Sequence, residues 1–563
     1  MTLPRPRSVW VAKRLGKLKQ LYGNVRRAAH DLRHLGATLA LARQRRVVED
    51  RLRKIALSGD ERFTGRVLVD AMFDNPNFWY RWTLLRAALG LAHAEEIGVV
   101  GQFNTGKCVR SLKRMGVRSV VQFRDYYPPA AEMRQIAREL LAATRCSQDV
   151  LEWRLPFDFP AAQAYDRILK WQRGAQVDAA DPALEDFLVT CLQQLHAADR
   201  LIDQMDFSLV LISQTANFDQ GGLAWVAAKR GIPIIVNTGH NGVPRFKKGL
   251  APDRVFAGGD RPPASLLRSL PEERRDRMAA VGQAYLDSRQ KGLIAELSAI
   301  YAYQRRTAPI DRAGLARQFG WDADKPIVMV YGANWFDYPH AFGMSNFRDF
   351  LDWTEVVLRV AVKADHANWL FKAHPTDEWY GGLTLDEVMP KALPPHIGMA
   401  SRTASSRDLI RSVDALTTVH GTSGLEFVSA GKPVLVADKG WYHDAGFCVA
   451  ARTRQEYIDL LGTVWWSDVD MAVAQRNCFI FAGWLFACPE WQGNLVCGDD
   501  AERTDLYWKL AEMLDSTPRE LAREIAEIRR WYGGKVEGYH VDKMREASAY
   551  RLANSVSDRG RGS

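Results

Sequence analysis

Short, nearly uninterrupted apolar runs alternate with amphipathic stretches along this chain, and they come in two separate series. In the first, EEIGVVG (95–101), VRSVVQF (117–123), SLVLISQ (208–214), IPIIVNTG (232–239) and RVFAGG (254–259) read as strands. Helical stretches lie between them: one from about Lys107 to Arg114, a mainly helical region over 130–205 interrupted by prolines at 156–160, and one opened by Gly221 and Gly222. Runs of four to eight apolar residues alternating with helices argue for parallel, doubly wound sheets. A second series follows at PIVMVYG (326–332), NWLFKAHP (368–375), ALTTVHG (415–421) and KPVLVAD (432–438). Helices around Phe350–Asp365 and Leu425–Ala430 separate its strands. The expected fold class is therefore α/β, with two Rossmann-like doubly wound domains in tandem.

The spacing divides the 563 residues into a helical basic extension (1–60), a first α/β domain (61–262), a helical linker (263–324), a second α/β domain (325–470), and a Trp-rich helical region with a disordered tail (471–563). Hydrophobic residues make up 47% and charged residues 25%, values that exclude disordered, collagenous and long coiled-coil proteins. No run of 18 apolar residues offers a spanning helix, and the N-terminus lacks the apolar segment of a signal peptide. Seven scattered cysteines with no CxxC pair argue against a zinc site or a disulfide framework. Cys488 and Cys497 are spaced to bridge a loop, but buried free thiols are the commoner case, and a reducing, cytoplasmic setting is expected.

The net charge of +10 is concentrated in one place. Residues 1–54 hold fifteen Lys or Arg against three acids, an excess larger than that of the whole chain. Trp10, Val11, Leu15, Leu18, Leu21 and Tyr22 recur there at roughly helical spacing among the cations. An apolar stripe with a basic face suits an anionic membrane surface, and a solvated extension packing on the body is the plainer alternative. Nucleic acid is not expected as a partner, because no binding signature follows and aromatics are not interleaved as stacking platforms. The setting expected from this is peripheral to the inner membrane.

Two strand ends in the second series carry the chemistry. The first is Lys372-Ala373-His374-Pro375, where a ligand sits in an open parallel sheet. An imidazole there donates to a phosphate or a base, or simply closes its loop. The second is His420-Gly421-Thr422-Ser423-Gly424, followed by Leu425-Glu426 and Gly431-Lys432-Pro433. A glycine- and hydroxyl-rich turn opening a helix presents backbone N–H groups to an anion. Thr422 and Ser423 add hydroxyl donors or merely cap the helix, and Glu426 holds ribose or sugar hydroxyls or merely favours the helix dipole.

In this order, with Gly440, Trp441, Tyr442 and Gly446 after them, these motifs resemble the C-terminal half of GT-B glycosyltransferases. The resemblance is to the capsule polysaccharide biosynthesis proteins, which include Kdo transferases using a CMP-activated sugar. It covers roughly residues 325–450, with only the α/β layout and the Gly-Ile-Pro-Ile-Ile strand matching before that. It implies that Lys372, His374, Pro375, His420, Thr422, Ser423, Gly424 and Glu426 bind the donor, and that 61–262 is the acceptor domain. It also implies a nucleotide-sugar substrate with no further cofactor, and a lipid-linked or polysaccharide acceptor in bacterial surface-glycan synthesis. A CMP-ulosonic acid donor is favoured by this resemblance alone. A UDP-sugar 2-epimerase or a polyol-phosphate transferase would share the architecture.

Glycosyl transfer needs a base for the acceptor hydroxyl or a group that stabilises the leaving phosphate. Asp125, Asp219 and His240 follow or lie near strand ends in the first series and are the candidates for the base. Asp219 equally suits a turn cap, and His240 a loop closure. Lys107 and Arg245 are candidate phosphate or acceptor contacts, and no acidic cluster at a strand end suggests a metal. A competitor from another class lies at Gly101–Lys107, which fits GxxxxGK and resembles dynamin-like GTPase P-loops. Cys108 stands where the Mg²⁺-ligating hydroxyl belongs, Asp219–Gly222 fits DxxG without directly ending a strand, and no base-reading [NT]KxD motif follows.

Overall fold

The computed structural model describes residues 35–102, 105–238, 244–249, 251–256, 264–293, 302–303, 309–375, 382–486 and 503–540. Residues 1–34, His240, the Cys488/Cys497 pair and the last 23 residues lie outside these.

Thirteen strands are described: β1 (Arg66–Asp70), β2 (Glu95–Val100), β3 (Ser119–Gln122), β4 (Phe207–Ile212), β5 (Ile234–Asn237), β6 (Arg245–Lys248), β7 (Ile327–Tyr331), β8 (Asn368–Lys372), β9 (Ile397–Met399), β10 (Ala415–Thr418), β11 (Val434–Val436), β12 (Val449–Ala450) and β13 (Gly538–His540). They form two sheets. The first runs β13-β6-β5-β4-β1-β2-β3, parallel from β5 to β3, with β6 and β13 added antiparallel at one edge. The second runs β12-β11-β10-β7-β8-β9 and is parallel throughout. Each begins at its centre, winds one way and then reverses, so the switch points lie between β1 and β4 and between β7 and β10. In such sheets ligands bind beyond the carboxyl ends of the strands at the switch point.

Burial explains why these runs are strands. β1, β4, β7 and β8 carry apolar residues on both faces, as sheets covered on both sides require. The reading of 254–259 as a strand is corrected for 254–256, and 257–259 lie outside the described residues. Pro252–Arg254 is a single 3-10 turn opened by Pro252, and the strand that follows β5 is Arg245–Lys248, which β13 covers on its outer side.

The C-terminal region does not stay together. Helix Met471–Phe486 packs on helix Glu272–Gln290 so closely that a Cβ at Gly282 would meet the Phe479 carbonyl oxygen at 1.9 Å, and one at Gly483 the Met278 oxygen at 2.1 Å. Both helices join the core of the second sheet. Helices Arg503–Ser516 and Pro518–Gly533 and strand β13 return to the first sheet, where Leu510, Ile528, Trp531 and Tyr539 are buried with β1 and β4 residues.

Helix Leu35–Ala56 also belongs to the body, burying Val48, Leu52 and Ala56. Part of the basic charge of this helix is paired within the fold. Arg45 grips Asp74 in a bidentate pair (2.6 and 2.7 Å) and Glu49 (2.8 Å), and Arg51 pairs with Asp515 at 2.7 Å.

Candidate active site between the two sheets

The segment 332–349 follows β7, the central strand of the second sheet, and joins the two units. Its inner side is tied to the second sheet through Asp438, just beyond β11, which accepts from the Ser345 amide (2.8 Å), Ser345 hydroxyl (2.9 Å) and Asn346 amide (2.6 Å). Its outer side meets the first unit. Tyr338 donates to Asn217 (3.0 Å), beyond the carboxyl end of β4, and Lys170 reaches Asp337 at 3.0 Å. Asp166, fully buried on helix Ala161–Gln172, accepts from the amides of His340 (3.0 Å) and Ala341 (2.9 Å) and from His340 Nδ1 (2.7 Å). Tyr165 donates to Asp349. Loops at the carboxyl ends of β4 and β7 thus touch, so the two switch-point ends meet.

His374 and Pro375 leave β8 beside this segment and are half-buried. Burial pushes the His374 imidazole down to about 4, against the pull of Asp337 and with the push of Lys372. It is therefore neutral near pH 7 and able to donate from one ring nitrogen. The turn after β10 closes the far side. His420 packs its ring against Phe350 (5.9 Å), and its carbonyl accepts from Trp441 Nε1 at 2.9 Å. Gly424 is required by packing, because a Cβ there would meet the Tyr442 hydroxyl at 2.2 Å. Helix Ser423–Ser429 starts at Ser423, which is buried, while Thr422 is partly exposed and makes no capping side-chain bond.

From the first unit, Asp219 lies in the opening turn of helix Phe218–Lys229. Burial raises its pKa, opposed by Arg167, and its charge is felt by Tyr127 and Tyr338. A half-buried carboxylate with a raised pKa, facing the seam and close to a cation, has the properties of a general base. Asp125, by contrast, is exposed on the 3-10 turn Phe123–Tyr126 beyond the edge strand β3, away from the switch point.

Three expectations give way to structural roles. Lys372 is 1% exposed and donates to the carbonyls of Ser401 (2.8 Å) and Arg402 (2.7 Å). Glu426 is 3% exposed, and its carboxylate accepts from Arg289 Nε at 2.6 Å, fastening helix Glu272–Gln290 to the second sheet. Arg245 is 1% exposed on β6, donates to the Leu485 carbonyl and lies over the Trp484 ring. In each case the charged group is buried and engaged with partners of the fold, which a solvent-facing ligand contact would have to displace.

Lys107 is exposed within helix Thr105–Arg114, which begins two residues before it. Cys108 is buried and its thiol pushed up to about 12, so the position that would ligate Mg²⁺ in a P-loop is an apolar contact.

Sequence reasoning missed two groups. Asp70, at the carboxyl end of β1, is fully buried and accepts from the Ser213 amide (2.9 Å) and hydroxyl (2.5 Å) and from Gln220 (2.5 Å). Gln220 in turn accepts from Asn217 at 2.8 Å, so this chain of polar groups reaches Tyr338 across the seam. The second group is the Asp166–His340 pair. An acid ending the apolar run RVLVD was a usable signal for Asp70, whereas nothing local marks Asp166 or His340.

Both sheets open with strand orders of the dinucleotide-binding type, and their switch-point loops meet. The architecture is that of the GT-B fold. No family model matches the chain, and no curated protein does. Solved structures with GT-B likeness include the β-Kdo 2,4 transferase KpsC of Thermosulfurimonas dismutans, at 14% identity over 49% of this chain and 79% of that one, with a TM-score of 0.31. The UDP-GlcNAc 2-epimerase of Neisseria meningitidis shares 10% identity over 75% of this chain and 97% of that one (TM-score 0.22). The glycosyltransferase SnogD of Streptomyces nogalater shares 14% over 82% and 100% (TM-score 0.24). The GT-B assignment of this chain rests on its own strand orders.

Proposed function

We propose that this protein is a glycosyltransferase that binds a nucleotide-activated sugar at the carboxyl edge of the second sheet and transfers the sugar to an acceptor held against the first. The observation that carries this reading is the meeting of the two switch points. His374, Pro375 and the Gly421-Thr422-Ser423 turn lie at the β8 and β10 ends, and Asp219 lies beyond β4. The phosphates of the donor would lie near the neutral His374 and the amides of the 421–423 turn. Asp219 would take the proton of the acceptor hydroxyl as its oxygen attacks the anomeric carbon, while the electron pair of the broken carbon–oxygen bond stays on the leaving phosphate.

Within this class, a CMP-linked ulosonic acid is the donor favoured by the sequence resemblance to capsule polysaccharide proteins, and a lipid-linked or polysaccharide glycan is the acceptor. Helix Leu35–Ala56 supports a membrane-peripheral setting. Leu39, Val47 and Leu57 are 61%, 42% and 49% exposed, and Arg43, Arg46, Arg53 and Lys54 are exposed with them. Apolar and cationic side chains on one surface suit anionic lipid. Among the described residues no helix is long and apolar enough to cross a membrane.

The test is incubation with CMP-ulosonic acids and UDP-sugars, with and without glycolipid acceptors, followed by product analysis. Sugar attached to the acceptor supports transfer. Free epimerised sugar without acceptor redirects the assignment to a 2-epimerase, and a phosphopolyol on the acceptor to a polyol-phosphate transferase.

A further inference from the structure

The Asp166–His340 pair has the form of a functional dyad. His340 lies in the segment after β7, which Asp438 holds to the second sheet through the amides of Ser345 and Asn346. Asp166 comes from the other unit. Asp166 Oδ1 takes His340 Nδ1 at 2.7 Å, which leaves Nε2 as the ring nitrogen for a ligand. The His340 side chain is 8% exposed and Asp166 is 0% exposed, so neither is a surface group paired by chance. Asp166 also accepts the backbone amides of residues 340 and 341, which fixes the ring's position as well as its tautomer.

The charges around the ring are one-sided. Asp166 and the Tyr165 ring face it from helix Ala161–Gln172, Asp349 from its own segment, and Asp438 from beyond β11. Asp349 is itself bound by Arg348 (2.8 Å) and Tyr165, and Asp438 by amides of the segment. These carboxylates outweigh burial and raise the imidazole's pKa. The seam thus holds two histidines pushed in opposite directions, His374 down and His340 up.

The geometry points to His340 as a phosphate-binding residue for the departing nucleotide, donating from Nε2 to a phosphate oxygen, with Asp166 as its positioning residue. This rests on the glycosyltransferase reading. As the bond between the anomeric carbon and the phosphate oxygen breaks, the electron pair stays on that oxygen, and the imidazolium offsets the charge that develops there without transferring its proton. Because Asp166 and His340 belong to different units, this contact forms only when the units are together.

The test is calorimetric titration of wild type, His340→Gln and Asp166→Asn with CMP and with UDP from pH 5.5 to 8.5. The nucleotide's own phosphate ionisation is common to all three proteins and cancels in the comparison. His340→Gln should bind about tenfold more weakly at the acid end and converge on wild type at the alkaline end. Asp166→Asn should move the wild-type fall in affinity to lower pH, an effect that a purely structural carboxylate would not produce. Curves for His340→Gln that parallel wild type at every pH, or an unmoved midpoint in Asp166→Asn, would overturn the assignment. If His340→Gln unfolds, the Asp166→Asn midpoint alone decides it. Failure of wild type to bind either nucleotide is a separate result that removes the underlying transferase reading, and the inference falls with it.

Discussion

Tyr338 donates its hydroxyl to the Asn217 side chain at 3.0 Å, and this one bond joins the loop beyond β7 to the loop beyond β4. Asn217 continues through Gln220 to the buried carboxylate of Asp70 at the first sheet's switch point. A change at the seam is therefore passed to the centre of the first sheet. Replacing Tyr338 by Phe should lower stability by about 1 kcal/mol, the usual net worth of such a bond. Thermal unfolding measures this, and an unchanged midpoint would mean that the bond is not kept in solution.

Glu426 and Arg289 separate a structural role from a donor-binding one. Glu426→Ala leaves the Arg289 guanidinium buried without its partner, and the loss expected on breaking such a pair is roughly 3–5 kcal/mol. Chemical denaturation would show it. A variant that keeps wild-type stability but loses nucleotide binding would restore Glu426 to the donor site.

As the proposed base, Asp219 should set an acid limb. Its raised pKa means that the basic form is lost as pH falls through a value above the ordinary carboxylate range, so transfer should decline there rather than near pH 4. Asp219→Asn should reduce kcat by roughly 10²–10⁴-fold with little change in unfolding midpoint. A wild-type pH–rate profile whose acid limb lies no higher than the ordinary aspartate value, together with a fully active Asn variant, would exclude it as the base.

His374 makes a stability prediction of defined sign. Its folded pKa of about 4 lies below the ordinary histidine value of 6.5, so between these limits the unfolded chain binds more protons. Its contribution is fully present above about pH 6.5 and is lost progressively as pH falls toward 4. His374→Asn should flatten the slope of midpoint against pH in that window and leave the slope above pH 7 unchanged. An identical slope in the variant would show that the imidazole is not held neutral.

Lys107→Ala tests the P-loop alternative. With Lys107 exposed on a helix and Cys108 buried, transfer and nucleotide binding should change by less than about twofold, as expected at a surface site. Loss of a GTP-hydrolysing activity on this substitution would favour the competitor.

The two sheets were legible in the sequence because their central strands are covered on both faces and so read as unbroken apolar runs. VLV of β1 and the two residues Val449–Ala450 of β12 show the limit of that signal: runs this short are not distinguishable from helix interiors by period. The return of β13 to β6 was not legible at all, since nearly 300 residues separate partners that meet only in the folded sheet. In the site, His374 and Asp219 stood out as titratable residues next to strand ends. Lys372, Arg245 and Glu426 stood out equally, and only their partners, Ser401, Leu485 and Arg289, reveal that their charges serve the fold. Asp166 and His340 were invisible because a pair from two domains has no sequence spacing.

The central claim is that a nucleotide binds beyond the ends of β8 and β10. It is tested most directly by thermal unfolding of wild type and His374→Ala against CMP, CDP, UMP, UDP, GDP and GTP. A ligand at about 100 times its dissociation constant should stabilise wild type by roughly 2.7 kcal/mol. The account predicts a raised midpoint with a cytidine or uridine nucleotide that is largely lost in His374→Ala. A shift confined to GDP and GTP, or one that His374→Ala retains in full, would contradict it.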